Sequence, residues 1–110
     1  MQLIVDAGTY HPPTGADRST HWVEHLSVPD LSLGTYSIAA GGTDGQAPHT
    51  EDEVYVVTAG RARLVADSGQ VAVGPGSVVY VPAGEGHRFV DVTGDFAVLV
   101  LFGPAEYSRG

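Results

Sequence analysis

The sequence predicts an all-β fold, a sandwich or a barrel. Short runs rich in β-branched and aromatic residues recur along the whole chain. Turn signals interrupt them roughly every eight to twelve residues, the spacing of strands in such folds. No window holds the 3.6-residue apolar period of a helix. The length, 110 residues, predicts a single domain over residues 1–110, with enough chain for one core.

Gln2 to Val5 is a short apolar run, expected as an edge strand. Gly8 to Thr20 carries Pro12, Pro13 and Gly15 and reads as a loop. His21 to Val28 alternates as a strand, with Trp22, Glu24, Leu26 and Val28 on one face and His21, Val23, His25 and Ser27 on the other. Pro29-Asp30 ends it. Leu31 to Ala39 is a second extended run, with Tyr36 and Ile38 opposite Leu31, Leu33 and Thr35. Ala40 to Ala47 holds three glycines and reads as a loop. Thr50 to Thr58 follows as a strand, then Gly60, then a further strand from Arg61 to Ala66. Asp67-Ser68-Gly69 is a hairpin signal leading to Gln70–Val73. Gly74-Pro75-Gly76 turns the chain into the β-branched Ser77–Val81. Pro82 to Gly86 breaks it again, and His87 to Val92 resumes. Thr93-Gly94-Asp95 is expected to turn into Phe96–Phe102, the most apolar run, and Gly103–Gly110 to be a loose tail.

The stretch Pro48–Gly60 carries the chemistry. As extended chain it puts His49, Glu51, Glu53, Tyr55 and Val57 on one face, and Asp52, Val54, Val56 and Thr58 on the other. A histidine and carboxylates aimed at an apolar interior need a cation or a hydrogen-bond network, because an isolated buried charge costs several kcal/mol.

Composition narrows the function. The chain has no cysteine, which excludes disulfides, thiolate catalysis and thiolate metal ligands. It has no lysine, and its five cations are Arg18, Arg61, Arg63, Arg88 and Arg109, so Schiff-base chemistry on lysine is excluded. A formal net charge of −8 argues against nucleic acid and anionic membranes as partners. No basic region with an apolar stretch opens the sequence and no run reaches transmembrane length, so a soluble cytoplasmic protein is expected.

A second pattern lies downstream: Gly76, five residues, Pro82, Ala83, Gly84, two residues, His87. With Glu53, six residues and Gly60, it resembles the two-part signature of the cupin family, over roughly Leu31 to Phe102. Asp91 stands where that family usually has an asparagine. The fifteen residues between Gly60 and Gly76 match the short spacing of small bacterial cupins. The resemblance implies a jelly roll, a double-stranded β-helix barrel with a metal inside. It implies His49, Glu53 and His87 as metal ligands, with Glu51 as a spare carboxylate. The family's first motif usually has two histidines separated by one residue. Counting back from Glu53, His49 takes the second slot, and the first falls on Ala47, or on Gln46 if the loop bulges. In another register His49 is the first ligand and Glu51 the second; the Glu53-to-Gly60 spacing favours the former.

Two histidines and a carboxylate suit one divalent transition metal (Fe, Mn, Ni, Cu or Zn) and leave open positions for substrate. The resemblance therefore implies a metal-dependent oxygenase, or an isomerase or lyase, acting on a small oxygenated molecule, with Glu51 moving a proton. A non-catalytic cupin that binds a small ligand is the alternative. Gln46, His25, Tyr36, Tyr55 and Phe89 are candidate pocket residues. A homodimer is expected from the N-terminal run and an apolar sheet face.

Overall fold

The structure, a computed structural model, describes residues 1–14, 19–45 and 48–108. Six strands carry the fold: β1 (Thr20–Val28), β2 (Leu31–Ile38), β3 (Asp52–Ala66), β4 (Gly69–Val73), β5 (Val78–Val81) and β6 (His87–Gly103). All pairings are antiparallel, in the order β1-β2-β6-β3-β4, with β5 also paired to β3, on the edge away from β6. No helix occurs among the described residues, so none is long and apolar enough to cross a membrane.

β3 and β6 close the barrel by belonging to both of its halves. The first half of β3 pairs with β5 and with the C-terminal half of β6 (Glu53↔Val81, Glu53↔Phe102), and its second half pairs with β4 and the start of β6 (Leu64↔Val71, Leu64↔Phe89). Three register shifts between Val57 and Arg63 bend the sheet there. Gly60 sits at this bend with φ +75°. The expected breaks at Gly60 and at Thr93–Asp95 are therefore corrected: both are bends inside one long strand. Asp91 and Gly94 supply positive φ in β6, which lets the ladder continue.

The core lies between the halves. Tyr55, Val57, Leu64, Phe89, Phe96 and Val98 are each at most 2% exposed. Tyr55 and Phe89 meet edge to face at 4.9 Å, and Phe89 meets Phe96 at the same distance.

The N-terminal run does not form the expected strand. Its apolar side chains Met1, Leu3 and Val5 stand in solvent. The next residues lie along the outer face of β2 by side-chain bonds instead: the Gly8 amide donates to Thr35 Oγ1 (2.8 Å) and the His11 amide to Ser37 Oγ (3.0 Å). The expected dimer loses the support of an N-terminal strand; on β4 and β5 the apolar side chains Val71, Val78 and Tyr80 are exposed.

Gly34 of β2 is fixed by space. A Cβ there would fall on the indole of Trp22 and 2.7 Å from the Val23 carbonyl. Gly34→Ala should push Trp22 aside and destabilise the fold by about 1–3 kcal/mol. Urea denaturation checks this, and an unchanged midpoint would mean that β1 yields freely.

Candidate metal centre

Strand alternation delivers the first part of the site. His49, Glu51, Glu53, Tyr55 and Val57 are all buried, while Asp52, Val54 and Val56 are only half-buried. The turn before β6 delivers His87. That turn is tied to the first motif, since the Gly84 amide donates to the His49 carbonyl (2.8 Å) and the Ala83 amide to Asp52 Oδ1 (2.9 Å). Ligand atoms of His49, Glu53 and His87 all lie within 4.8 Å of one another.

The surrounding bonds settle which ring nitrogens face inward. Nδ1 of His87 lies 2.8 Å from the Glu85 carbonyl, which can only accept, so Nδ1 carries the proton and Nε2 turns inward. That Nε2 is 2.8 Å from the Tyr55 hydroxyl and 3.0 Å from Glu53 Oε1. Nε2 of His49 lies 3.0 Å from Glu106 Oε2, so it carries the proton and leaves Nδ1 facing Glu53 Oε1 at 3.7 Å. Three buried atoms converge with no hydrogen-bond partner: His49 Nδ1, Glu53 Oε1 and Glu53 Oε2. The 3.0 Å approach of His87 to Glu53 is an ion-pair distance without the alignment of a shared proton.

A cluster of inward lone pairs on buried atoms costs free energy unless a cation joins them. Donors about 2.1 Å from a divalent ion stand about 3.0 Å apart when octahedral neighbours and about 3.4 Å apart in a tetrahedron. The separations of 3.0 and 3.7 Å bracket that range. The donors therefore fit one divalent transition metal.

A cavity of about 250 Å³ opens beside the donors, lined by Trp22, Tyr36, His49, Glu53, Val100, Phe102, Glu106 and Tyr107. Tyr36 thus lines it, whereas Tyr55 and Phe89 lie deeper, in the core. His25 does not line it: its Nε2 is 2.6 Å from Thr35 Oγ1, the hydroxyl that also anchors the N-terminal segment. Glu51 does not line it either. Its oxygens accept from Thr50 Oγ1 and, at 2.6 Å, from the Tyr107 amide. Gln46 lies outside the described residues, as does Ala47. Asp91 is exposed and faces Arg63 (3.6 Å).

Two contributors had no sequence signal. Asp44, in a glycine-bearing loop, accepts from the Tyr36 hydroxyl (2.6 Å) and the Phe89 amide (2.9 Å). Burial and the Asp44 carboxylate hold the Tyr36 phenol protonated, far above its usual range. Glu106 belongs to the expected loose tail, whose residues 105–107 are instead docked, with Ala105 buried and its amide bonded to the Pro29 carbonyl (3.3 Å). Burial pushes the Glu106 carboxyl up against the opposing pull of His49.

The family model described as "Cupin domain" matches residues 34–102, more than half of the chain. The chain belongs to the cupin family. It is 45% identical over 85 residues to a protein named "Uncharacterized protein SCO3923" from Streptomyces coelicolor, covering 77% of this chain and 81% of that one. Among solved structures, this cupin resembles KdgF from Halomonas sp. (TM-score 0.74, 17% identity, 88% of this chain and 89% of that one). It also resembles salicylate 1,2-dioxygenase from Pseudoaminobacter salicylatoxidans, solved as adducts with gentisate (TM-score 0.73, 14% identity, 83% of this chain and 26% of that one). At these identities the structural likenesses show the fold, an all-β cupin jelly roll, and nothing finer.

Proposed function

We propose that this cupin is an enzyme in which His49, Glu53 and His87 hold one divalent transition metal, Fe, Mn, Ni, Cu or Zn, for oxygenase or isomerase/lyase chemistry on a small oxygenated molecule. The observation that carries the reading is the convergence of His49 Nδ1 and both Glu53 oxygens, buried and without hydrogen-bond partners. A bound metal would act as a Lewis acid on substrate oxygens.

The chain's own residues do the rest. Trp22, Phe102, Val100 and Tyr107 wall the cavity and exclude water from the apolar part of a ligand. Tyr36, whose hydroxyl donates its hydrogen bond to Asp44, presents an oxygen that accepts from a ligand hydroxyl. Tyr55 holds a proton 2.8 Å from His87 Nε2. Glu51, with oxygens committed to Thr50 and Tyr107, suits holding the C-terminal turn better than moving a substrate proton.

The test is metal analysis of protein purified without chelator, followed by oxygen uptake with catechol-like and diketone substrates. No metal after reconstitution with any of the five would end the reading. The second reading is a cupin that binds but does not convert its ligand; the commitment of Glu51 away from the cavity favours it. Metal and ligand binding without turnover would select it.

The pH dependence has a definite sign. In the metal-free protein, burial lowers the His87 pKa, but the Glu53 carboxylate and the bond to the Glu85 carbonyl outweigh it, and the net pKa is raised. A raised pKa contributes stability that is fully present below the unfolded imidazole value of about 6.5 and is lost as pH rises through the folded value. Metal takes the place of that proton. The gain in melting temperature on adding Zn²⁺ should therefore be small in mild acid and grow as pH rises. Thermal scans of metal-free and loaded protein across that range check it; a gain that shrinks with pH would contradict the donor set.

A further inference from the structure

We infer that Glu106 is a positioning residue for the centre: its bond to His49 Nε2 selects which ring nitrogen faces Glu53 and His87. The inference rests on the metal reading for its consequence in affinity, but the tautomer itself is a property of the metal-free protein.

An imidazole in water exchanges between two tautomers, and only one of them offers a lone pair at Nδ1. The ring of His49 is confined on its faces, with Phe102 at 4.7 Å and Tyr107 nearly parallel at 5.4 Å. At Nε2 stands the Glu106 carboxylate at 3.0 Å, itself in the cavity wall, an acceptor that requires Nε2–H. On the inner edge stands Glu53, another acceptor, which offers Nδ1 no proton. Of the two neutral tautomers, only the one with Nε2–H satisfies Glu106, and that one points a lone pair inward. A carboxylate behind a ligating histidine fixes ring and tautomer in this way and raises the basicity of the ligand.

Glu106 can do this because its turn is held at three points. The Ala105 amide donates to the Pro29 carbonyl (3.3 Å), the Glu106 amide to Ser32 Oγ (2.8 Å), and the Tyr107 amide to Glu51 Oε1 (2.6 Å). This also gives Glu51, 1% exposed, its place: it is the far anchor of the segment that orients His49. Neither Ala47 nor Gln46, the two positions for the first slot of the motif, is a histidine. With three donors rather than four, loss of order at His49 weighs more.

Nitrogen-15 NMR of the histidine rings in metal-free protein at neutral pH reads the tautomer directly. The wild type should show His49 protonated at Nε2 and bare at Nδ1. Glu106→Ala should give mixed or inverted tautomers and weaken Zn²⁺ binding by about 10- to 100-fold, whereas Glu106→Gln, whose amide oxygen accepts the same bond, should keep the tautomer and stay within about threefold. A purely structural role for the turn would weaken both variants without moving the tautomer. His49 protonated at Nδ1 in the wild type would overturn the proposal, as would unchanged tautomer and affinity in Glu106→Ala. If Glu106→Ala does not fold, the wild-type spectrum and Glu106→Gln decide. If the wild type binds no Zn²⁺, the metal reading falls and the tautomer still decides the role of Glu106.

Discussion

His87→Ala should strip the protein of metal. The wild type, dialysed in parallel at neutral pH, should retain it. In the proposed centre the variant would leave two ligands, His49 and Glu53, on one stretch of chain, with nothing opposite them from the turn that opens β6. Loss of an orienting partner behind a ligand already costs about 10- to 100-fold in affinity, and loss of the ligand should cost more than that. The variant should also lose stability without metal, because the buried Tyr55 hydroxyl loses its 2.8 Å partner and the Glu53 carboxylate its facing imidazole. Losing one such hydrogen bond costs about 0.5–1.5 kcal/mol. Tyr55→Phe separates the two effects, since it removes the hydroxyl and keeps all three ligands. Full metal occupancy in His87→Ala would mean that the donors are elsewhere.

Gly60→Ala should be the most damaging single change to the fold. Gly60 has φ +75°, and a Cβ there would stand 2.7 Å from the Asp95 carbonyl oxygen and 2.8 Å from Phe96 Cα. Both obstacles are backbone and cannot rotate away. The left-handed conformation costs a side chain about 1–3 kcal/mol. Forcing β3 and β6 apart costs about 1–3 kcal/mol more. Against a total stability of about 5–15 kcal/mol, the melting temperature should fall by more than about 10 °C. Calorimetry measures it. A fall under about 2 °C would show that the β3–β6 crossing is loose and that the glycine is there for another reason.

Strand interiors were legible because they obey a local rule. Alternation from His49 to Val57 needed only the sequence and the two-residue period of extended chain. The approach of His87 to Glu53 was legible through the resemblance to a family, not through any spacing that physics imposes. Other features depend on partners far along the chain. Gly60 reads as a stop in isolation, and only the pairing of Ala59 with Ala97 and Arg61 with Thr93 makes it a bend. Gln2–Val5 has strand composition but pairs with no strand, and β2, along which the following residues lie, is already paired on both sides by β1 and β6. His25 follows Glu24 at a register shift in β1, which composition does not reveal. The C-terminal turn was illegible for a further reason. Its bonds reach Pro29, Ser32, His49 and Glu51, all more than fifty residues away, and Ala-Glu-Tyr has no pattern that announces them.

Trp22 stands edge-on to Tyr36 at 6.5 Å and to Phe102 at 6.4 Å, in the wall of the cavity. It is also the sole tryptophan in the chain. The molecule thus carries a built-in optical gauge at the mouth of its own site. A guest that enters must displace water from the indole and change its emission, with no second indole to dilute the signal. Libraries of small oxygenated compounds can be screened by intrinsic fluorescence alone, with no label and before any reaction is known. A Trp22→Phe variant serves as the dark control.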